Sequence, residues 1–504
     1  MQKSILIVGG GTAGWLSAAI IASHHKNRPK DQFTIHLVEA ADVPTVGVGE
    51  GTWPTLRNTI RSIGIDEKTL FKRCFAGFKQ GAKFVNWASD NHQYYHPFTV
   101  PLGYGNIDLA PYLEDVQSFA DDANYQAAIC DAGLAPRAPT EAEFQGVCNY
   151  AYHLDAGALG DLLKEHCRDV LGVQHHTGTV KEVVLDDQGH IANLNLEREG
   201  EAFSLSADMY VDCTGFRSLL LGQALKVPFK SIDDVLFNDT ALALRVPYKD
   251  EHAPIACHTI ATGQNAGWIW DIGLTHRRGI GHVFSSAFLS EDEAFDNLAN
   301  YVGAPIDDLQ INRIKFQAGY RQKAWKHNCV GIGLSGGFVE PLEATAIMLV
   351  EVAARYVAEN IYADEKLLPI VEKRFNQQMD YRWQRITDFL KLHYSLTKRD
   401  EPYWRAHTDE ATIPISLQED LCVWKNRGPQ KSDFDGVAEL FPAASYQYVL
   451  YGMGFKPDFD TQAYLYDQQQ TAKRIIEKNQ TLTRQLLQDL PPHRNYINHW
   501  LSTG

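Results

Sequence analysis

The chain has few cysteines for its length, and no two of them form a Cys-x-x-Cys pair. The eight thiols are spread over 504 residues, at positions 74, 130, 148, 167, 213, 257, 329 and 422. Zinc motifs and disulfide frameworks use closely spaced cysteines, so this spacing argues against both and predicts no metal site. We expect reduced thiols and a cytoplasmic location.

The chain also lacks excess positive charge and long apolar runs. Its formal net charge is −15, and no cluster of Lys and Arg with interleaved aromatics offsets that value. Such a surface repels phosphate backbones, which excludes nucleic acid as a partner. No apolar run reaches 18 residues, which predicts no membrane span. Gly9, Gly10 and Gly11 interrupt the apolar amino-terminal stretch and argue against a secretory signal.

Those glycines instead fit a dinucleotide-binding turn. Gly9, Gly11 and Gly14 have the G-x-G-x-x-G spacing, between a β-branched run at 4–8 and a small-residue helix at 15–23. Such glycines let the backbone approach a pyrophosphate, which then lies at the amino terminus of the helix. Glu39 ends the next predicted strand, where it can bind ribose hydroxyls. The sequence therefore predicts a βαβ unit that binds a dinucleotide.

Two later segments indicate which dinucleotide is bound. Asp212-Cys-Thr-Gly215 follows an apolar strand and resembles the second fingerprint of flavoproteins, although an ordinary strand-end turn has the same form. Gly331-Ile-Gly333-Leu-Ser-Gly336 matches the glycine spacing and could be a separate nicotinamide site. Only helix is predicted after it, with no second strand ending in an acid, so it resembles the late segment of FAD proteins. We expect FAD to bind and a separate flavin reductase to supply it in the reduced form.

The fold class predicted from this order is α/β. We expect a Rossmann-like FAD-binding module of the flavoprotein monooxygenase type, with an interleaved substrate-side β-sheet, over residues 1–365. Strand-like runs dominate from about 80 to 330, and helical patterns follow, including 347–361 and 462–489. Residues 366–504 are predicted to form a mostly helical module that covers the substrate. A monomer or a homodimer is expected.

Two tryptophans mark the middle of the chain. Trp268 and Trp270 alternate on a predicted strand and so share one face, where a pair of indoles is more often core than functional. The stretch resembles the Trp-x-Trp-x-Ile-Pro signature of flavin-dependent halogenases, the tryptophan-halogenase-like family, with Gly273 at the proline position. The resemblance runs from Ile5 to the region of Tyr446. It implies that the two indoles keep the organic substrate away from the flavin.

Further site residues follow from the same resemblance. The segment around Lys79 resembles the family stretch with an essential lysine; from the residues alone, Lys83 competes with it. Glu343 matches a catalytic glutamate. Thr345 and Ala346 match the positions whose backbone amides bind halide. Additional cofactor contacts are implied at Thr12, Ala13, Ala40, Gly49, Glu50, Val180, Leu334 and Ile347.

The resemblance also implies a mechanism. Reduced FAD, dioxygen and a halide ion give hypohalous acid, which reaches Lys79 and attacks an electron-rich aromatic ring. Ala344 and Ala346 stand where a serine and a glycine are frequent in the family. The added methyl and the missing hydroxyl predict that bromide is favoured over chloride.

The substrate is predicted less directly. His96 and Phe98 match a segment that sandwiches an indole, and Tyr446 and Tyr448 lie near the amino-acid clamp of the tryptophan enzymes, although no downstream acid for an ammonium group is found. We therefore expect indole or a substituted indole. Two alternatives are an FAD-dependent aromatic monooxygenase that hydroxylates its substrate and a non-catalytic flavin-binding protein.

Overall fold

The computed structural model describes residues 3–28, 33–41, 49–306, 309–361, 366–436 and 438–503. The chain forms two compact units, each built from three separate segments. The first consists of Met1–Phe75, Leu154–Ile232 and Phe316–Trp383, and the second of Ala76–His153, Asp233–Lys315 and Gln384–Gly504. The boundary predicted between residues 365 and 366 remains a prediction.

In chain order, the strands of the amino-terminal half are β1 (Lys3–Val8), β2 (Phe33–Glu39), β3 (Glu50–Gly51), β4 (Gly77–Lys79), β5 (Gly81–Val85), β6 (Gln93–Pro97), β7 (Ala151–Leu154), β8 (Gln174–Thr177), β9 (Thr179–Leu185), β10 (Ile191–Arg198), β11 (Glu201–Leu205) and β12 (Met209–Asp212). The later strands are β13 (Phe229–Ser231), β14 (Thr240–Pro247), β15 (Thr259–Gly263), β16 (Trp268–Gly273), β17 (Arg277–Phe284), β18 (Ile311–Lys315), β19 (Gly319–Arg321), β20 (Trp325–Lys326), β21 (Cys329–Gly331) and β22 (Gly337–Phe338).

The α-helices are α1 (Thr12–His24), α2 (Thr55–Ile63), α3 (Glu67–Cys74), α4 (Phe119–Asp122), α5 (Gln126–Asp131), α6 (Ala156–Asp169), α7 (Glu291–Val302), α8 (Thr345–Asn360), α9 (Leu368–Ser395), α10 (Pro402–His407), α11 (Ile415–Arg427), α12 (Ala443–Gly452), α13 (Gln469–Asp489) and α14 (His493–Ser502). Within the described ranges, no helix is both long enough and apolar enough to span a bilayer.

The first unit is organised around a six-stranded sheet in the order β20-β21-β12-β1-β2-β8. Strands β21, β12, β1, β2 and β8 run parallel, as βαβ connections require. The inner strands are nearly continuous apolar runs because helices cover the sheet; α1 packs against α6 and α8. The predicted strand–glycine turn–helix–strand opening is confirmed.

The second unit contains a seven-stranded sheet in the order β18-β14-β17-β16-β15-β5-β6. Its pairs are antiparallel except for β15 with β5. All seven strands lie between residues 81 and 315, within the region in which strand-like runs are predicted to dominate. Helices α10 to α14 follow in the same unit, which agrees with the helical pattern of the carboxy-terminal sequence.

Two local predictions need correction. The helix predicted over 462–489 begins at Gln469, and a 3-10 helix, Asp460–Leu465, precedes it. The Asp458 side chain accepts hydrogen bonds from the backbone and hydroxyl of Thr461, which favours a separate turn there. In addition, the glycine segment at 331–336 is followed by the two-residue strand β22 before helix α8, rather than by helix alone.

Candidate active site and family

The glycine turn between β1 and α1 is shaped by close backbone approach. Gly9 has φ +116°, and a Cβ atom there would lie 2.2 Å from the carbonyl oxygen of Cys213. A Cβ at Gly14 would lie 1.9 Å from the carbonyl oxygen of Gly9. At Gly11, by contrast, no described atom lies within 4 Å of such a Cβ. The turn therefore leaves open space at the amino terminus of α1, where a pyrophosphate fits.

Glu39 ends β2 beside this turn. Its Oε1 atom forms a 2.6 Å ion pair with Nζ of Lys164, and its Oε2 atom occupies the space that a side chain on Gly10 would need. Lys164, on α6, was not predicted. A carboxylate held at the strand end remains available to ribose hydroxyls through its other lone pairs.

Asp212 connects its own segment, 212–215, to the glycine segment at 331–336. Its buried carboxylate accepts hydrogen bonds from the backbone of Thr214, Leu220 and Leu221, at 2.8–3.0 Å, and from the Ser335 hydroxyl at 3.1 Å. The Ser335 hydroxyl also lies 3.2 Å from the carbonyl oxygen of Gly215. Asp212 thus positions the loops, while its own oxygens are occupied by protein donors.

The glycine segment at 331–336 also contacts the helix that follows the first glycine turn. Gly333 has φ +70°, and a Cβ there would lie 2.8 Å from the Cβ of Ala13 on α1. Leu334 is half-buried in the 3-10 helix that follows, and Ile347 is buried on α8. The structure therefore brings together three segments that are more than 300 residues apart at their extremes.

The remaining predicted cofactor residues lie in the same unit. Thr12 donates a hydrogen bond to the carbonyl of Ala156, and Val180 packs on the core beneath β9. Desolvation raises the pKa of Glu50, at the start of β3, to about 7. Ala40 follows β2 and Gly49 precedes β3, on either side of residues 42–48, which lie outside the described residues.

Glu343 and Ala344 form a strained turn before α8. Both are non-glycine residues in the left-handed region, with φ of 62° and 55°. Such conformations are costly and tend to be retained at functional sites. Thr345 and Ala346 are the first two residues of α8, where backbone N–H groups have no intrahelical acceptor. Among the described residues, no side chain caps this helix, so its amino terminus presents backbone donors suited to an anion.

Three residues that were not predicted, Trp53, Thr55 and Thr59, contact this turn or the helix α8 that follows it. Trp53 donates a 2.6 Å hydrogen bond from its indole nitrogen to the carbonyl oxygen of Glu343. Thr55, two residues later, donates at 2.8 Å to Glu351 on α8, and Thr59 donates to the same carboxylate. In the sequence, Thr55 and Thr59 form a Thr-x-x-x-Thr pair at the start of an amphipathic helix. This spacing places both hydroxyls on one face of the helix, which could have indicated a shared partner.

Lys79 is the last residue of β4, which pairs with β7. The side chain is buried at 3% exposure, and its Nζ atom lies 5.3 Å from the centroid of the Phe98 ring. Burial and the charge of Lys79 together hold the pKa of His153 well below its ordinary value. Lys83 differs, because its Nζ atom forms a 2.8 Å ion pair with Asp131. The choice of Lys79 over Lys83 as the reactive amine remains a prediction.

His96 and Phe98 lie at the end of β6. His96 is buried, with its ring centroid 5.7 Å from that of Phe389 and 6.3 Å from that of Tyr448. The backbone N–H of Phe98 donates to the carbonyl of Gln80 at 3.1 Å, beside Lys79. The predicted aromatic pair and the predicted lysine are therefore brought together.

Tyr446 and Tyr448 lie on α12 with both hydroxyls bound to protein groups. The hydroxyl of Tyr448 donates to the carbonyl of Thr99 at 3.0 Å and accepts from Asn124 at 2.8 Å. The hydroxyl of Tyr446 accepts from Arg385 at 3.3 Å. Residues two apart on a helix do not face one another, so the two side chains leave α12 in different directions; their contact with substrate remains a prediction.

Trp268 and Trp270 are buried on β16 with ring centroids 6.3 Å apart, which confirms that they share a face. Trp268 also packs 5.9 Å from Trp87, so core packing accounts for its burial. Gly273, at the proline position of the signature, lies against the 255–256 backbone; a Cβ there would lie 2.8 Å from Cγ2 of Ile255. A side chain at position 273 would therefore clash with Ile255, which accounts for the glycine.

Two cysteines that are distant in sequence lie close together in the fold. Cys130 and Cys257 meet in the second unit, next to His258, although 126 residues separate the two cysteines along the chain. A chain fold brings such residues together without leaving a local motif. The prediction of no metal site remains a prediction.

Comparison with known proteins decides the family. The sequence model described as "Tryptophan halogenase" matches residues 4–468. The chain belongs to the tryptophan halogenase family. It is accordingly an FAD-dependent enzyme of the flavin-dependent halogenases, and the predicted family and α/β fold class are confirmed.

Individual members of this halogenase family are similar over nearly their full length. A tryptophan 6-halogenase of Streptomyces toxytricini is 34% identical, with 89% of each chain covered. A tryptophan 7-halogenase of Lentzea aerocolonigenes is 31% identical, with 98% of each chain covered. The crystal structure of a tryptophan halogenase from Shewanella frigidimarina NCIMB 400 has a TM-score of 0.95 and 40% identity, covering 100% of this chain and 98% of that one.

Proposed function

We propose that this halogenase halogenates indole or a substituted indole, with bromide favoured over chloride, and receives reduced FAD from a separate flavin reductase. The observation that carries the proposal is the buried Lys79 beside Phe98, in a chain whose family is shown. A hydroxylase has no need of such an amine. The cytoplasmic location and the oligomeric state remain predictions.

FAD would be held by the first unit. The open space at Gly11 accepts the pyrophosphate against the amino terminus of α1, and Glu39 binds the adenosine ribose. Asp212 and Ser335 hold the second and third segments in place for the remainder of the cofactor. Reduced FAD supplies the activation of dioxygen that oxidises a halide ion to hypohalous acid.

The halide would bind to the backbone amides of Thr345 and Ala346. These groups are fixed donors without a formal charge, so they hold an anion while the surrounding backbone needs no reorganisation. Glu343, in the turn that precedes them, would deprotonate the cationic ring intermediate or polarise the hypohalous acid. Trp53 holds that turn through the Glu343 carbonyl.

The chemistry on the substrate would take place beside Lys79. Its ammonium or amine group, buried among apolar and aromatic residues, directs the electrophilic halogen to one position of the ring. His96 and Phe98 would stack on the flat substrate, at about 0.5–1.5 kcal/mol for each aromatic contact. Because the hydroxyls of Tyr446 and Tyr448 already bind protein groups, they offer fewer hydrogen bonds to a free amino-acid group, which favours indole.

The test uses the protein with FAD, a flavin reductase, NADH, bromide and indole. We expect a monobrominated indole by mass spectrometry, and no product when the reductase is omitted. A hydroxylated indole in its place would support the monooxygenase alternative. Stoichiometric NADH or NADPH oxidation without any reductase would contradict the separate-reductase proposal.

A further inference from the structure

Cys130, Cys257 and His258 form a buried cluster that is not among the predicted catalytic residues. Cys130 lies on α5, and the other two precede β15. One ligand atom from each of the three lies within 4.8 Å of the other two. The side chains are 2%, 0% and 7% exposed. Buried thiols in mutual contact with an imidazole are a donor set for soft metal ions.

The Cys257 thiol already contacts its neighbours in this cluster. Its sulfur lies 3.8 Å from the carbonyl oxygen of Cys130. The Cys257 sulfur lies 3.9 Å from Nδ1 of His258. Tyr95 closes one side, with its ring centroid 5.4 Å from that of His258.

We propose that Cys130, Cys257 and His258 bind a thiophilic divalent cation, with Zn²⁺ as the ion that fits best. Ligand atoms of a tetrahedral zinc site lie about 3.5–3.8 Å apart, given Zn–S of about 2.3 Å and Zn–N of about 2.0–2.1 Å. The cluster needs to contract by roughly 1 Å at most to reach that spacing. A fourth position is left for water.

Charge balance selects the divalent ion. Two thiolates and a neutral imidazole carry a charge of −2, which Zn²⁺ cancels, so the occupied site places no net charge in the interior. A monovalent copper ion would leave one negative charge uncompensated. Zinc binding therefore releases the thiol protons to solvent and makes occupancy depend on pH.

The site would act on the backbone next to Lys79. The N–H of Gln80 donates a 2.7 Å hydrogen bond to the carbonyl of Cys257, and the Gln80 side chain donates at 2.8 Å to the carbonyl of Leu134, just beyond α5. A metal joining Cys130 to Cys257 therefore links α5 to the segment that follows Lys79. This metal site does not depend on the proposed substrate or halide.

The first experiment uses the wild-type FAD-loaded enzyme without a histidine tag. Titration with Co²⁺ should produce thiolate-to-cobalt charge-transfer absorption that saturates near one ion per chain, and one equivalent of Zn²⁺ should abolish it. Elemental analysis after growth with zinc should give about one zinc per chain. Absence of the thiolate–cobalt bands would overturn the proposal.

Variants identify the ligands. Cys130→Ser and Cys257→Ser should lower bound zinc at least tenfold, whereas Cys167→Ser, a buried cysteine whose thiol donates to the carbonyl of Trp15, should retain the wild-type amount. If a serine variant does not fold, the wild-type cobalt spectrum decides. Wild-type zinc content in Cys130→Ser, or a Cys130–Cys257 disulfide in protein purified without oxygen, would contradict a metal site.

Discussion

The indole nitrogen of Trp53 lies 2.6 Å from the main-chain oxygen of Glu343 and donates a hydrogen bond to it. This contact connects the segment before α2 to a turn in which two successive residues have positive φ. A left-handed pair without glycine persists only where the surroundings determine it. Trp53 therefore supports the geometry of the proposed halide site without belonging to it.

We expect Trp53→Phe to raise the halide KM several-fold and to leave FAD binding intact, because the turn loses a hydrogen bond to a buried carbonyl worth about 1–2 kcal/mol. Initial rates against bromide concentration measure the change. Trp424→Phe is the matched control, since its indole nitrogen donates to Asp433, in the 3-10 helix Lys431–Asp433 after α11. Equal halide dependence in the two variants would exclude the supporting role of Trp53.

Lys79→Met should retain FAD and consume reduced flavin, yet form at least a hundredfold less halogenated product. The methionine side chain fills a similar volume but supplies no amine. Lys83→Met removes a partly exposed ion pair, worth less than about 1 kcal/mol, and should keep most of the activity. Product formation is followed by chromatography and flavin reoxidation by absorbance. Similar product yields from both variants would show that the choice of lysine is wrong.

Gly11→Val and Gly10→Ala should separate cofactor binding from stability. The added atoms at Gly11 meet no described protein atom and enter the proposed pyrophosphate space, so FAD retention should fall while the melting temperature of the apoprotein changes little. A methyl at Gly10 collides with Glu39 and should lower that temperature. Flavin absorbance after gel filtration and thermal unfolding distinguish the two. Retained FAD in Gly11→Val would place the pyrophosphate elsewhere.

The apoprotein should lose stability between about pH 4.5 and pH 7 through Glu50. Its folded-state pKa is raised to about 7 by desolvation, so in this window the folded state binds more protons than the unfolded state, and the free energy of unfolding falls as pH rises. The loss is up to about 3 kcal/mol. Glu50→Gln should therefore gain stability relative to wild type from pH 5 to pH 8, as measured by urea unfolding. If the difference in unfolding free energy between Glu50→Gln and wild type did not change with pH across this range, the pKa of Glu50 would not be raised.

Competition between substrates tests the proposed pocket. With equal bromide and chloride, brominated product should exceed chlorinated product, because the methyl of Ala346 crowds the site and a softer, less hydrated anion tolerates this better. With equal indole and tryptophan, halogenated indole should dominate, since the tyrosine hydroxyls of α12 already have protein partners. Preferential chlorination of free tryptophan would contradict both the halide prediction and the substrate prediction. It would leave the family assignment unaffected.

The opening βαβ unit was predictable because its determinants are local. Gly9, Gly14 and the end of β2 lie within 40 residues, and each acts on backbone next to it. The partners that complete the site are distant: Lys164 lies 125 residues from Glu39, and Trp53 lies 290 residues from Glu343. No periodic pattern in the sequence indicates that residues so far apart are in contact. The family resemblance supplied the roles of the catalytic residues, while their partners came only from the fold.

The segmented construction of the first unit has a consequence for biosynthesis. Its central sheet places β1 beside β12 and β12 beside β21, so the strands cannot all pair until residue 331 has left the ribosome. A sheet with contacts this distant in sequence forms slowly. The amino-terminal strands of the nascent chain therefore keep unpaired edges until then. Such edges can pair with other chains, which promotes aggregation. Slower translation or chaperone assistance should raise the yield of folded enzyme more than any single stabilising substitution.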